Sequence, residues 1–165
     1  MARRFRRTHD GVEARLEPGE AALLRDLVED LLPLLAADEV AGDPVLARLF
    51  PDGYRDDPEA AAELRSLIQD DLRAGKRAAL QTVLDGLSSR NTKGRVLLDT
   101  EAASAWLGGL NDLRLSLGTR LGVTEETYDE LDLPAPDGDD PRRQALEIYA
   151  WLGWLQESLV ETLMS

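Results

Sequence analysis

Phe5-Arg6-Arg7-Thr8-His9-Asp10-Gly11-Val12-Glu13-Ala14-Arg15-Leu16 is the stretch on which the reading of the fold turns. Asp10-Gly11 is the two-residue signal for a type I′ turn, and it predicts a β-hairpin. In that register Phe5 pairs with Leu16, Arg7 with Ala14 and His9 with Val12 on one face, while Arg4 faces Glu17 and Thr8 faces Glu13 on the other. The first face is the apolar one, so Phe5, Val12, Ala14 and Leu16 are expected to turn inward, with Arg4, Arg6 and Glu13 toward water. Arg6 then lies opposite Arg15, a like-charge pair that Glu13 and Glu17, or an anionic partner, must relieve. A lone hairpin is marginal in water, so it must lie on the helices or gain a third strand, for which Arg95-Val96-Leu97-Leu98 is the one good candidate.

Beyond the hairpin the signals become helical. Proline suits the first helical position and a preceding aspartate caps the free N–H groups. Asp43-Pro44, Asp57-Pro58 and Asp140-Pro141 each open such a segment, Glu17-Pro18 is a weaker version, and Asp99-Thr100-Glu101 starts another. These marks predict helices near 18–38, 44–50, 58–87, 100–121 and 141–163, with Pro33 kinking or shortening the first. Residues 86–94 read as a polar loop and 128–140, rich in acids and carrying Pro134, Pro136 and Gly138, as a mobile acidic one. The expected fold is mainly α: a helical bundle-like single domain over 1–165, with a hairpin at 1–17 and a helical body at 18–165. Ala105-Trp106-Leu107-Gly108-Gly109-Leu110 is echoed by Ala150-Trp151-Leu152-Gly153-Trp154-Leu155. Packed helices drawing on a few apolar residue types also produce such matches, so nothing is built on duplication.

Composition narrows the function classes. A chain of 165 residues with 43 % hydrophobic and 31 % charged residues can bury one core. The run Leu31 to Ala37 is broken by Pro33 and is too short for a membrane span, and Thr8-His9-Asp10 stands where a signal peptide needs apolar residues, so a cytoplasmic protein is expected. Absence of cysteine excludes disulfides and thiolate chemistry. Arginine far outnumbers lysine, which occurs only at Lys76 and Lys93, and with the abundant Ala and Leu this suggests a GC-rich bacterial source. The net charge of −13 is uneven, because Arg3, Arg4, Arg6 and Arg7 against Asp10 give residues 1–10 a charge of +3 and leave −16 for the rest. Only this arm is expected to offer phosphate a basic face.

The strings Arg48-Leu49-Phe50-Pro51-Asp52-Gly53-Tyr54, Asp70-Asp71-Leu72-Arg73-Ala74-Gly75-Lys76, Asn111-Asp112-Leu113-Arg114-Leu115, Leu117-Gly118-Thr119-Arg120-Leu121 and Tyr149-Ala150-Trp151-Leu152, with Ala105-Trp106-Leu107, resemble an actinobacterial family. The chain is similar, over nearly its whole length, to the domain of unknown function 2017. That resemblance implies a neighbourhood with the gene for the adaptor of the Clp protease, and for some members a label of transcriptional regulator. It transfers no catalytic residue.

The residues themselves offer little chemistry. His9 is the sole histidine, and neither a His-x-x-x-His nor a Glu-x-x-His pair is present, nor a Gly-rich phosphate loop. Adjacent carboxylates are expected by chance among 32 acids. No catalytic, cofactor-binding or metal-binding residue is therefore assigned, and no cofactor is expected. Arg3, Arg4, Arg6 and Arg7 form a candidate anion-binding arm. Trp151 and Trp154 mark a candidate interaction surface; Trp154 falls about 140° from the apolar stripe of its helix, whereas Trp106 is within about 40° of its own. Asp71 and Arg114 fall on the apolar faces of consecutive long helices and are expected to meet as a structural ion pair, with Gly75 leaving room for it. The reading is a non-catalytic interaction or regulatory protein, with a protein partner or a second copy of itself and no membrane. Nucleic acid is not an expected partner, although a DNA-binding regulator using the arginine arm is the alternative, and an enzyme using carboxylates alone comes third.

Overall fold

The computed structural model describes residues 4–36, 44–49, 58–124 and 140–165. Strands β1 (Phe5–Thr8) and β2 (Gly11–Arg15) open the chain, followed by α1 (Pro18–Ala36), α2 (Pro44–Leu49) and α3 (Pro58–Ser88). Then come β3 (Arg95–Leu98), α4 (Thr100–Leu121) and α5 (Pro141–Met164). The fold is mainly α with a small antiparallel sheet, as the helix starts and the hairpin signal imply. Among the described helices proline stands first in all but α4, where Asp99 caps instead, accepting from the Ala102 N–H at 2.7 Å. Asp140 caps α5 through the Arg142 N–H at 3.1 Å. Asp43, Asp57 and the acidic stretch 128–139 fall outside the described residues. Pro33 does not end α1, which continues to Ala36.

The sheet has the order β1-β2-β3, so the third strand pairs with β2 and not with the hairpin's first strand. The hairpin register differs from expectation by two residues. Phe5 pairs with Ala14, Arg6 with Glu13, Arg7 with Val12 and Thr8 with Gly11, leaving His9 and Asp10 as the turn. Neither turn residue has positive φ, so this is not the type I′ turn that Asp-Gly signals. Gly11 is needed for another reason: a Cβ there would run into the Leu98 carbonyl oxygen of β3. The glycine admits the third strand. Because the shift is by two, side-chain parity survives, and Phe5, Val12, Ala14 and Leu16 are all buried.

Those residues, with Val96 and Leu98 from β3, cover one end of a helical layer centred on α4. α4 packs on α3, α5 and α2, and also touches α1, β2 and β3. Its position depends on small residues at the crossings. A Cβ on Gly109 would sit 3.1 Å from Val83 of α3, and one on Gly118 would sit 2.9 Å from the ring of Tyr149 of α5. Trp106 of α4 is wholly buried, meets Phe5 edge to face at 6.4 Å, and lies over Gly86 of α3.

The expected ion pair is corrected here. Asp71 is solvent-exposed, and Gly75 has open space around it. The described ion pair between α3 and α4 is instead Lys76 Nζ to Asp112 Oδ1 at 2.9 Å, on side chains 22 % and 5 % exposed. The same two helices are joined by charge, with the signs exchanged. The buried stripe of α3 runs through Leu80, Val83 and Leu87, and Lys76 continues it, whereas a helical wheel that weighs Ala78 and Ala79 equally with Leu64, Leu67 and Ile68 centres the face near Asp71. Arg114 is half-buried, its stem beside Gly153 of α5 and its Nε without a partner.

The outer face of the sheet as candidate functional site

Parity places Arg4 just before β1, Arg6 and Thr8 of β1, Gly11, Glu13 and Arg15 of β2, and Arg95 and Leu97 of β3 on the side of the sheet away from the helices. The Arg15 N–H donates to the Arg4 carbonyl at 2.8 Å, and Arg15 is the cross-strand partner of Arg95. Arg4, Arg15 and Arg95 therefore form a row across the three strands, spaced by about 5 Å at the backbone. The next row is Arg6, Glu13 and Leu97. Leu97 is 74 % exposed.

Glu13 was expected to face water and does lie on the outer face, yet it is buried. Arg6 Nη2 reaches its Oε2 at 2.7 Å and Arg95 Nε its Oε1 at 3.0 Å. Two guanidinium groups close over the carboxylate from either side, which is why a charged side chain can be covered here. The two-residue register shift makes this possible, because it puts Arg6 opposite Glu13 and removes the expected clash of Arg6 with Arg15. A like-charge contact persists elsewhere, in Arg15 opposite Arg95.

The arginines of the arm have separate fates. Arg3 lies outside the described residues. Arg4 pairs with Glu20 of α1 at 3.4 Å, and its Nε is buried without a partner. Glu20 is a hub: it also accepts from its own helix-entry N–H at Glu17, as in half of a capping box, and from Trp151 Nε1 of α5 at 3.2 Å. Arg7 shares parity with the inner face and leaves the arm altogether. Its Nη1 donates to the carbonyl oxygens of Thr162 at 3.4 Å, Leu163 at 3.2 Å and Ser165 at 3.0 Å, closing the C-terminal end of α5. Replacing Arg7 with Gln should lower stability by about 1 kcal/mol in urea unfolding at low salt, with the loss shrinking as salt rises. An equal loss at all salt concentrations would contradict a charge–dipole origin.

The tryptophan surface is partly as expected. Trp154 keeps accessible surface while Trp106 keeps none. Trp151 is half-buried and held by Glu20, beside a shallow groove of about 390 Å³ formed with Gly19, Leu23, Gln144 and Ile148. Trp106 and Trp151, which correspond in the sequence echo, thus occupy different settings. His9 is an exposed turn residue. Among the described residues no group of three or more His, Cys, Asp or Glu could hold a metal ion, and no helix is long and apolar enough to cross a membrane.

Fold and site together define a mainly helical domain that gathers arginines on the outer face of a small sheet. The chain belongs to the family described as domain of unknown function (DUF2017), whose model matches residues 2–163. It is similar to proteins named oxidative stress regulator AosR from Mycobacterium bovis and Mycobacterium tuberculosis. Each is 35 % identical over 201 residues, a match covering 99 % of this chain and 89 % of the relative. No solved structure matches the chain.

Proposed function

We propose that this protein is a cytoplasmic, non-catalytic regulator of the response to oxidants, acting by contact with another protein. The observation that carries this reading is the outer face of the sheet, where arginines from three strands surround one glutamate. The name of the relatives supports the process. The lack of cysteine agrees with the mode, because an oxidant finds no thiol in these 165 residues and a partner can supply the sensing group. A link to Clp-dependent proteolysis, implied by the family's gene neighbourhood, is the finer form of the proposal.

The alternative, a DNA-binding regulator using the arginine arm, has weaker support. Arg7 caps α5 and Arg4 pairs with Glu20, whereas duplex binding commonly draws on about 6–10 phosphate contacts. The test is a strain lacking the gene, challenged with hydrogen peroxide and followed by survival and transcript profile. Loss of the induced response, restored by the wild-type gene, is the expected result. An unchanged response would remove the proposal, and unchanged half-lives of Clp substrates would remove the finer link.

A further inference from the structure

We infer that the outer face of the sheet docks an extended acidic segment of a partner protein, whose carboxylate is held by Arg15 between Arg4 and Arg95; this rests on the contact-regulator reading above. The argument begins with the row Arg4, Arg15, Arg95. Three like charges side by side across neighbouring strands are unfavourable unless anions lie among them. The chain supplies two. Glu20 takes Arg4 from one end and Glu13 takes Arg95 diagonally. Arg15, in the middle of the row, is exposed, and its guanidinium has no ion pair among the described residues. The place for a third carboxylate is built and open.

The shape agrees. Arg4, Arg6, Glu13, Arg15 and Arg95 line a pocket of about 140 Å³. That is well below the roughly 300 Å³ at which small-molecule sites begin, and it suits a single side chain. A guanidinium fork matches a carboxylate with two parallel hydrogen bonds, and Arg6 and Arg95 each meet Glu13 through a single nitrogen, leaving other donors free. On a protein of net charge −13 this is a local patch in which four arginines face one glutamate. Charge complementarity therefore selects an acidic partner.

A protein segment fits better than a nucleic acid. Four arginines, three already engaged, fall short of the phosphate contacts on which duplex affinity rests. Leu97 would mean little alone, since single exposed apolar residues are common. In the row next to the arginines it offers an apolar contact that a peptide side chain can use and a phosphate backbone cannot.

The probe is a fluorescein-labelled peptide of alternating Glu and Val, titrated by anisotropy into the full chain, with a Gln–Val peptide and a labelled DNA duplex in parallel. Arg15→Glu should weaken Glu–Val binding by about tenfold or more, and Leu97→Ser by about threefold. Arg25→Glu, an exposed site on α1, should change it by less than about twofold. Both sheet-face positions are exposed, so unfolding midpoints should stay near wild type and separate lost binding from lost fold. Failure of the Glu–Val peptide to bind, equal effects of Arg15→Glu and Arg25→Glu, or a duplex that binds more tightly and depends on Arg15 would each overturn the inference. If it falls while the deletion strain still loses its peroxide response, the regulator reading stands and the partner docks elsewhere. If that response is intact, the regulator reading fails whatever the peptide does.

Discussion

Trp106→Ala is expected to destabilise the protein by about 3–5 kcal/mol, measured by chemical unfolding. The indole is wholly buried where α3, α4 and β1 meet, against Phe5 and the bare backbone of Gly86. Its removal leaves a cavity that three elements of regular structure cannot easily close. Trp106→Phe should lose much less, because the indole N–H is buried without a partner and its removal relieves an unsatisfied donor. The same geometry predicts the cost of filling the glycine. A Cβ on Gly86 would lie 2.8 Å from Cζ2 and 3.1 Å from Nε1 of the indole, so Gly86→Ala should cost about 1–3 kcal/mol by forcing the ring aside. In a Trp106→Phe background those outer ring atoms are gone, and most of the Gly86→Ala cost should vanish. Additive losses in this double-mutant cycle would show that Gly86 matters for a reason other than the tryptophan.

Lys76→Met is expected to cost about 3 kcal/mol, at the low end for breaking a covered ion pair, because it strands Asp112 in the α3–α4 interface. The pair itself should add little. Lys76→Met combined with Asp112→Leu removes both charges, and its stability should return to within about 1 kcal/mol of wild type. Asp71→Asn, on the exposed side of α3, should change stability by less than about 0.5 kcal/mol. A double variant no more stable than Lys76→Met alone would place the loss in packing of the lysine stem instead of in the stranded carboxylate.

Helix positions were legible because their signals are local. Pro18, Pro44, Pro58 and Pro141 begin their helices, Asp99 and Asp140 cap theirs, and the helix ends were anticipated to within two residues. Side-chain parity in the hairpin was legible for the same reason. The Asp71–Arg114 pair was misread because a helical wheel over 31 residues depends on which residues set its centre. Alanines weigh there as much as leucines, although they gain little from burial, and a small error in period rotates a long helix's face. Only the neighbouring helix decides which charge it can meet.

The described elements, their order, and which side of each strand is apolar were readable along the chain, since these follow from backbone propensity and the two-residue period of a strand. The sequence by itself could not determine register. A slip of two preserves every parity, so the hydrophobic pattern is blind to it, and the close approach of β3 over Gly11 accompanies the register found. Nor could it assemble the arginine row, because Arg95 is 80 positions from Arg15 along the chain and joins it only when β3 pairs with β2. That pairing converts a terminal arm of scattered positive charge into a face with one carboxylate built in and room for another.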